Sequence, residues 1–99
     1  MIALIGHMRF PADRIESLLP HVQELVRQTN LHDGCIAYDV GQDVLDPTIL
    51  HFSEVWPDQA SLDGHLIAPH IAPWRQACAD HGIIDRHFAV YDIAGERSL

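Results

Sequence analysis

The spacing of apolar residues along this chain changes period several times, and each change marks an element. Over residues 2–10 the pattern alternates, with Leu4, Met8 and Phe10 on one face and Ile5, His7 and Arg9 on the other, which predicts a strand. Pro11 and Asp13 end it. Asp13 and Glu16 have the spacing of a capping box, so a helix is expected to start there. Ile15, Leu18, Leu19, Val22, Leu25 and Val26 then fall on one stripe with a period of about 3.6 residues. Pro20 lies inside the stripe and removes one backbone hydrogen bond. A kink is expected rather than a stop, because the stripe continues beyond it. Residues 30–34 supply the turn that closes the helix.

A second strand is predicted over residues 34–41, and Asp46-Pro47 signals a turn before a third at 48–56. Pro57-Asp58 opens a helical stretch over 58–68. Pro69 and Pro73 interrupt it, and it resumes to about residue 80. His81-Gly82 terminates it, and a fourth strand is predicted over 83–93. The order βαββαβ gives an α+β, ferredoxin-like fold in which residues 1–99 form one domain, with a four-stranded antiparallel sheet and the helices on one face. Strand three offers Leu50, Phe52 and Trp56 to one side and Ile49 and Val55 to the other. Strand four offers Ile84, Phe88 and Val90 against Ile83, Ala89 and Tyr91. A sheet with one wet face alternates more cleanly, so a second copy of the chain is expected to cover the far face as a homodimer.

Charge removes several classes of partner. Fourteen acidic residues against six basic ones leave a formal charge of −8. This repels phosphate backbones and anionic membrane surfaces, so neither nucleic acid nor membrane is an expected partner. The apolar N-terminus has neither a basic leader nor a cleavage site, and no run is long enough to span a bilayer; the chain is expected to be cytoplasmic. Cys35 and Cys78 are far apart and are read as reduced.

Eight histidines in 99 residues raise the question of a metal. Helical ligand pairs stand three or four residues apart, whereas His65 and His70 in "HLIAPHIAPW" are five apart with a proline between them. His7, His51 and His87 lie on three different strands. No metal site is expected. There is no Gly-x-Ser-x-Gly elbow and no glycine-rich phosphate loop, so neither a serine nucleophile nor a nucleotide cofactor is expected.

The stretches "DGCIAYDV" (33–40), "FSEVWPDQASLDGHL" (52–66) and "APHIAPW" (68–74) together resemble the antibiotic biosynthesis monooxygenase family, which includes quinol monooxygenases. The matching positions are Asp33-Gly34-Cys35 with Tyr38, Glu54 with Trp56, His65-Leu66 and Pro69-His70. The resemblance implies a dimeric α/β barrel and cofactor-independent oxidation of a small aromatic, a quinol or an anthrone, by dioxygen. A deprotonated hydroquinone is electron-rich enough to reduce dioxygen, so the protein need supply only a base and a dry apolar cavity. On that reading His65, His70 and His7 are the candidate catalytic groups. Tyr38, Phe52, Glu54, Trp56, Trp74 and Arg75 are the candidate substrate contacts. A haem-degrading branch shares the fold. At the places of its strand asparagine, helix tryptophan and haem-ligating histidine this chain has His7, His65 and Arg75, so no haem is expected. A non-catalytic ligand-binding dimer and an isomerase remain as alternatives; the latter would need an anion pocket built from Arg9, Arg75 or Arg86.

Overall fold

A computed structural model describes all residues, 1–99. The elements run β1 (Ile2–Arg9), α1 (Ile15–His32), β2 (Ala37–Gln42), β3 (Ile49–Trp56), α2 (Gln59–Leu66), α3 (Ile71–Asp80) and β4 (Asp85–Asp92). The strands form one four-stranded sheet in the order β2-β3-β1-β4, and every pairing is antiparallel. This is the ferredoxin-like βαββαβ arrangement, with the second helical stretch divided into α2 and α3. No helix is long and apolar enough to cross a membrane.

The core lies between the sheet and the helices. Met8 and Phe10 from the β1 segment, and Leu50, Phe52 and Trp56 from β3, pack against Ile15, Leu18, Val22 and Leu25 of α1 and against Leu62, Ile71 and Trp74. On β3 the alternation is cleaner than the sequence suggests, because His51 and Ser53 point outward between buried Leu50, Phe52 and Glu54. Gly6 shapes the inner face of β1. It pairs with Phe52 on one side and Phe88 on the other, and those rings meet edge-on at 5.3 Å. A methyl group at Gly6 would collide with the Phe88 ring and the His87 carbonyl, so glycine is what lets the two phenyl groups close over β1.

Several local expectations need correction. The Asp13–Glu16 capping box does not form. The residue preceding α1 is Arg14, without a side-chain cap, and the first turn is held by the Pro11 carbonyl accepting from the Arg14 and Ile15 amides. α1 runs through Pro20 as one element. Pro73 does not interrupt α3; it is the third residue, where the backbone N–H has no intrahelical partner to lose. The true break is at Ile67–His70. Ile83 and Ile84 precede β4 and exchange their expected faces. Ile83 packs against the core, while Ile84 is exposed.

Candidate active site

α1 ends with Asp33 as its cap, and Gly34 follows at φ +73°, a left-handed turn that only glycine adopts without strain. That turn leaves the Asp33 side chain directed at the α2–α3 junction. α2 is started by Asp58, whose carboxylate accepts from the Ser61 amide at 2.8 Å, and it ends at Leu66, ahead of the turn that holds Pro69. On an uninterrupted helix His65 and His70 would be turned about 140° apart. The break brings them back onto one residue. His65 Nδ1 and His70 Nε2 each lie 2.7 Å from the same Asp33 oxygen, Oδ2. Thr29, fully buried on α1, places its hydroxyl 3.4 Å from His70 Nε2.

As a carboxylate, Asp33 can only accept, so both ring nitrogens must donate to it. His65 is thereby fixed as the Nδ1–H tautomer, and its Nε2 carries a lone pair. That nitrogen has no hydrogen-bond partner in the protein, yet it is not a sealed polar atom. The ring borders a cavity of about 610 Å³, within the usual size range for small-ligand sites. Its back is held by Trp56 and Tyr38, with ring centres 4.9 and 5.3 Å away. Burial pushes the His65 pKa below its ordinary value, partly offset by the hydrogen bond to Asp33. A neutral, oriented imidazole at the wall of an apolar cavity is an effective proton acceptor.

Thirteen of the eighteen residues lining the cavity are hydrophobic. Leu4, Met8, Phe52 and Phe88 of the sheet face Leu62, Ile71 and Trp74 of the helices across it. Phe52 and Trp74 rings are 6.3 Å apart, giving flat walls suited to flat molecules. Glu54 lies on the same inner face, 2% exposed, and accepts a 2.9 Å hydrogen bond from Trp56 Nε1. Burial raises its pKa to about 7, against the lowering effect of that bond. Burial also raises the Tyr38 pKa, so this phenol stays protonated.

Of the nine residues singled out in the sequence, six line this cavity: His65, Tyr38, Phe52, Glu54, Trp74 and Arg75. Trp56 does not. It is fully buried behind His65 and acts on the cavity through Glu54. His70 stands behind Asp33 rather than in the wall. His7 is on the opposite face of the sheet, in register with His51 and His87, with ring centres 6.4 and 6.0 Å away. Strand parity separates it from the cavity, whose β1 contributions are Leu4 and Met8. Asp33 was given no role in the sequence, although "DGCIAYDV" contains it; only the fold reveals both histidines converging on it. Phe88 was missed as a cavity residue and Arg86 was named only for the anion pocket of an isomerase; their shared parity on β4 was the available signal.

Asp33, His65 and His70 present three ligand atoms within 4.8 Å of one another. Their 2.7 Å separations are hydrogen-bond distances. Neighbouring ligands around a zinc-like ion bonded at about 2.0–2.1 Å stand about 3 Å or more apart. The arrangement is that of a carboxylate clamping two imidazoles. Both cysteines are free; Cys78 borders the cavity with its pKa raised to about 12 by burial, so it is an inert thiol.

Comparison with known proteins gives consistent relatives. The sequence pattern of the family described as antibiotic biosynthesis monooxygenase matches residues 1–77. A crystal structure of an antibiotic biosynthesis monooxygenase is 30% identical with a TM-score of 0.88, covering 96% of this chain and 100% of that one. A candidate antibiotic biosynthesis monooxygenase from Deinococcus radiodurans has the same fold, with a TM-score of 0.91 at 20% identity over 100% of this chain and 98% of that one. An uncharacterized protein of Synechocystis is 24% identical over 98 residues, covering 99% of this chain and 67% of its own length.

Proposed function

This chain belongs to the antibiotic biosynthesis monooxygenase family, and from that premise we propose that it oxidises a small aromatic hydroxy compound, a quinol or an anthrone, with dioxygen and without a cofactor. The observation that carries this reading is the His65 ring, clamped through Nδ1 by Asp33 and bordering an apolar cavity, with Nε2 the ring nitrogen left without a protein partner. His65 Nε2 takes the substrate hydroxyl proton. The resulting anion gives one electron to dioxygen, and the two radicals combine to a peroxide at ring carbon. The O–O bond then breaks as the peroxide-bearing carbon loses its hydrogen and becomes a carbonyl; that proton and the one returned by His65 let the departing oxygen leave as water. For a hydroquinone the sum is quinol plus dioxygen to hydroxyquinone plus water, so one oxygen atom enters the product and the other leaves as water. Phe52, Phe88 and Trp74 hold the ring, and the shortage of polar lining keeps water from competing for the anion. Glu54, titrating near neutrality, is a second group able to exchange a proton there.

The test is oxygen uptake by the purified protein with a panel of naphthoquinols and anthrones, corrected for autoxidation. Uptake of one dioxygen per product formed is expected. Conversion without oxygen uptake would identify an isomerase. Binding that stabilises the fold without any conversion would identify a ligand-binding protein, and either result would contradict the proposal.

The outer face of the sheet, with Ile5 and Tyr91 about half exposed, fits a second copy of this chain. Sedimentation at micromolar concentration is expected to give twice the chain mass. A clean monomer would refute this part of the reading.

A further inference from the structure

The cavity carries a charge opposite to that of the chain. All six cationic side chains are arginines, set against fourteen acids. Two of the six pair with a carboxylate, and Arg14 donates to the Asp80 main-chain carbonyl instead. Arg9 pairs with Asp85 at 3.2 Å, and Arg27 pairs with Glu24 at 2.8 Å. Arg75 and Arg86 both line the cavity, from α3 and β4 respectively, and neither has a carboxylate within 4.0 Å. Arg75 makes only a long 3.4 Å hydrogen bond to the Leu66 carbonyl. The Arg86 guanidinium lies 4.9 Å over the Phe88 ring, so its donors are free while its face is packed.

The titratable lining is therefore divided into two poles, with Gln59 the one uncharged polar residue beside them. Glu54 and His65 are 2% and 4% exposed and form the inner one, whereas Arg75 and Arg86 are exposed and form the outer one. Between them the walls are apolar and aromatic. We infer that the cavity binds an aromatic acid, with its flat ring between Phe52, Phe88 and Trp74, its carboxylate held by Arg75 and Arg86, and its opposite edge directed inward to His65. A guanidinium is matched to a carboxylate by its planar fork of donors, and two from separate elements fix the in-plane orientation of the ring. As a statement about the oxidised substrate this rests on the preceding proposal, and it narrows that substrate to a carboxylated quinol or hydroxyarene. The anion preference itself is a property of the cavity and can be measured without turnover.

The experiment is equilibrium binding of naphthalene-2-carboxylate and its neutral carboxamide to the full chain, neither of which has a hydroxyl to oxidise. The wild type is expected to prefer the carboxylate about tenfold or more, the scale of a charge-assisted hydrogen bond, and the preference should shrink with added salt. In the Arg75→Gln, Arg86→Gln double variant the preference should vanish while carboxamide affinity is retained, which also reports an intact cavity. Equal affinity of the wild type for the two ligands would overturn the inference. So would a carboxylate preference that survives in the double variant, or failure of the wild type to bind either ring. An intact preference in a protein that consumes no oxygen with any quinol would leave the anion site standing and remove the oxygenase reading alone.

Discussion

Replacing His65 with alanine is expected to lower kcat/KM for oxygen uptake about 10²- to 10⁴-fold, the range for loss of a positioned general base. The residue is 4% exposed and clamped by Asp33 at 2.7 Å, so the substitution also leaves that carboxylate with one donor fewer. Chemical denaturation of the same variant separates lost chemistry from lost fold. Asp33→Asn is the sharper companion. Both rings meet the same Asp33 oxygen, so an asparagine that sets its carbonyl oxygen there keeps both tautomers and removes only the charge, whereas one that sets its amide nitrogen there forces the His65 proton onto Nε2 and blocks the base. The pH profile gives a second signature. His65 acts as a base when neutral, and its pKa lies below the ordinary 6.5, so wild-type activity should fall only as pH drops below that value. Asp33 pulls this pKa upward. Its loss should therefore move the acid limb to still lower pH while reducing the plateau. His7→Ala, on the outer face, should leave the rate unchanged. Unaltered kcat/KM in His65→Ala, with uptake still dependent on the protein, would make His65 a structural residue.

Trp56→Ala is expected to destabilise the fold by about 3–5 kcal/mol, as for other large-to-small changes at fully buried aromatics. In a chain of this size that is a large share of the about 5–15 kcal/mol typical of whole domains. Trp56 is 0% exposed, packs against Tyr38 and His65, and supplies the only side-chain hydrogen bond that Glu54 makes. Trp56→Phe separates these roles, since it keeps most of the packing and deletes the donor. Glu54 titrates at about 7 in the fold rather than at 4.5, so the folded protein holds its proton more tightly than the unfolded chain does. The stabilisation from that protonated carboxyl is complete below 4.5 and is lost as pH rises through 7. Without the Trp56 donor the ionised form is harder still to accommodate. Trp56→Phe should thus be more destabilising at about pH 8 than at about pH 5, by urea denaturation at each pH. A loss independent of pH would mean that the hydrogen bond does not govern Glu54.

Much of this fold could be read from local periodicity. The alternation of Leu4, Met8 and Phe10 and the stripe from Ile15 to Val26 place both elements against the core as expected, because burial on one face is a local property of sequence. End effects were harder. Asp13 and Glu16 have the spacing of a cap, but the turn at Pro11, whose carbonyl accepts from the Arg14 and Ile15 amides, moves the helix start one residue on, so Asp13 is not the capping position. In the site, residues on the inner parity of β3 were legible: Phe52 and Glu54 both reach the cavity. Trp56 shares that parity, and nothing local says that the cavity ends before it. The Asp33 clamp was illegible for a stronger reason. It joins positions 32 and 37 residues apart through a helix break whose direction depends on tertiary packing. The same five-residue spacing that argued against His65 and His70 acting together becomes, once Pro69 breaks the helix, the spacing that lets both reach one oxygen.

The most direct measurement is a long-range ¹H–¹⁵N correlation spectrum of the histidine side chains at pH 7, with His65 assigned by its absence in His65→Ala. The expected result is a neutral ring protonated at Nδ1, with an Nε2 resonance that shifts when an aromatic acid is added. A proton on Nε2, or an imidazolium at that pH, would contradict the assignment of His65 as the base.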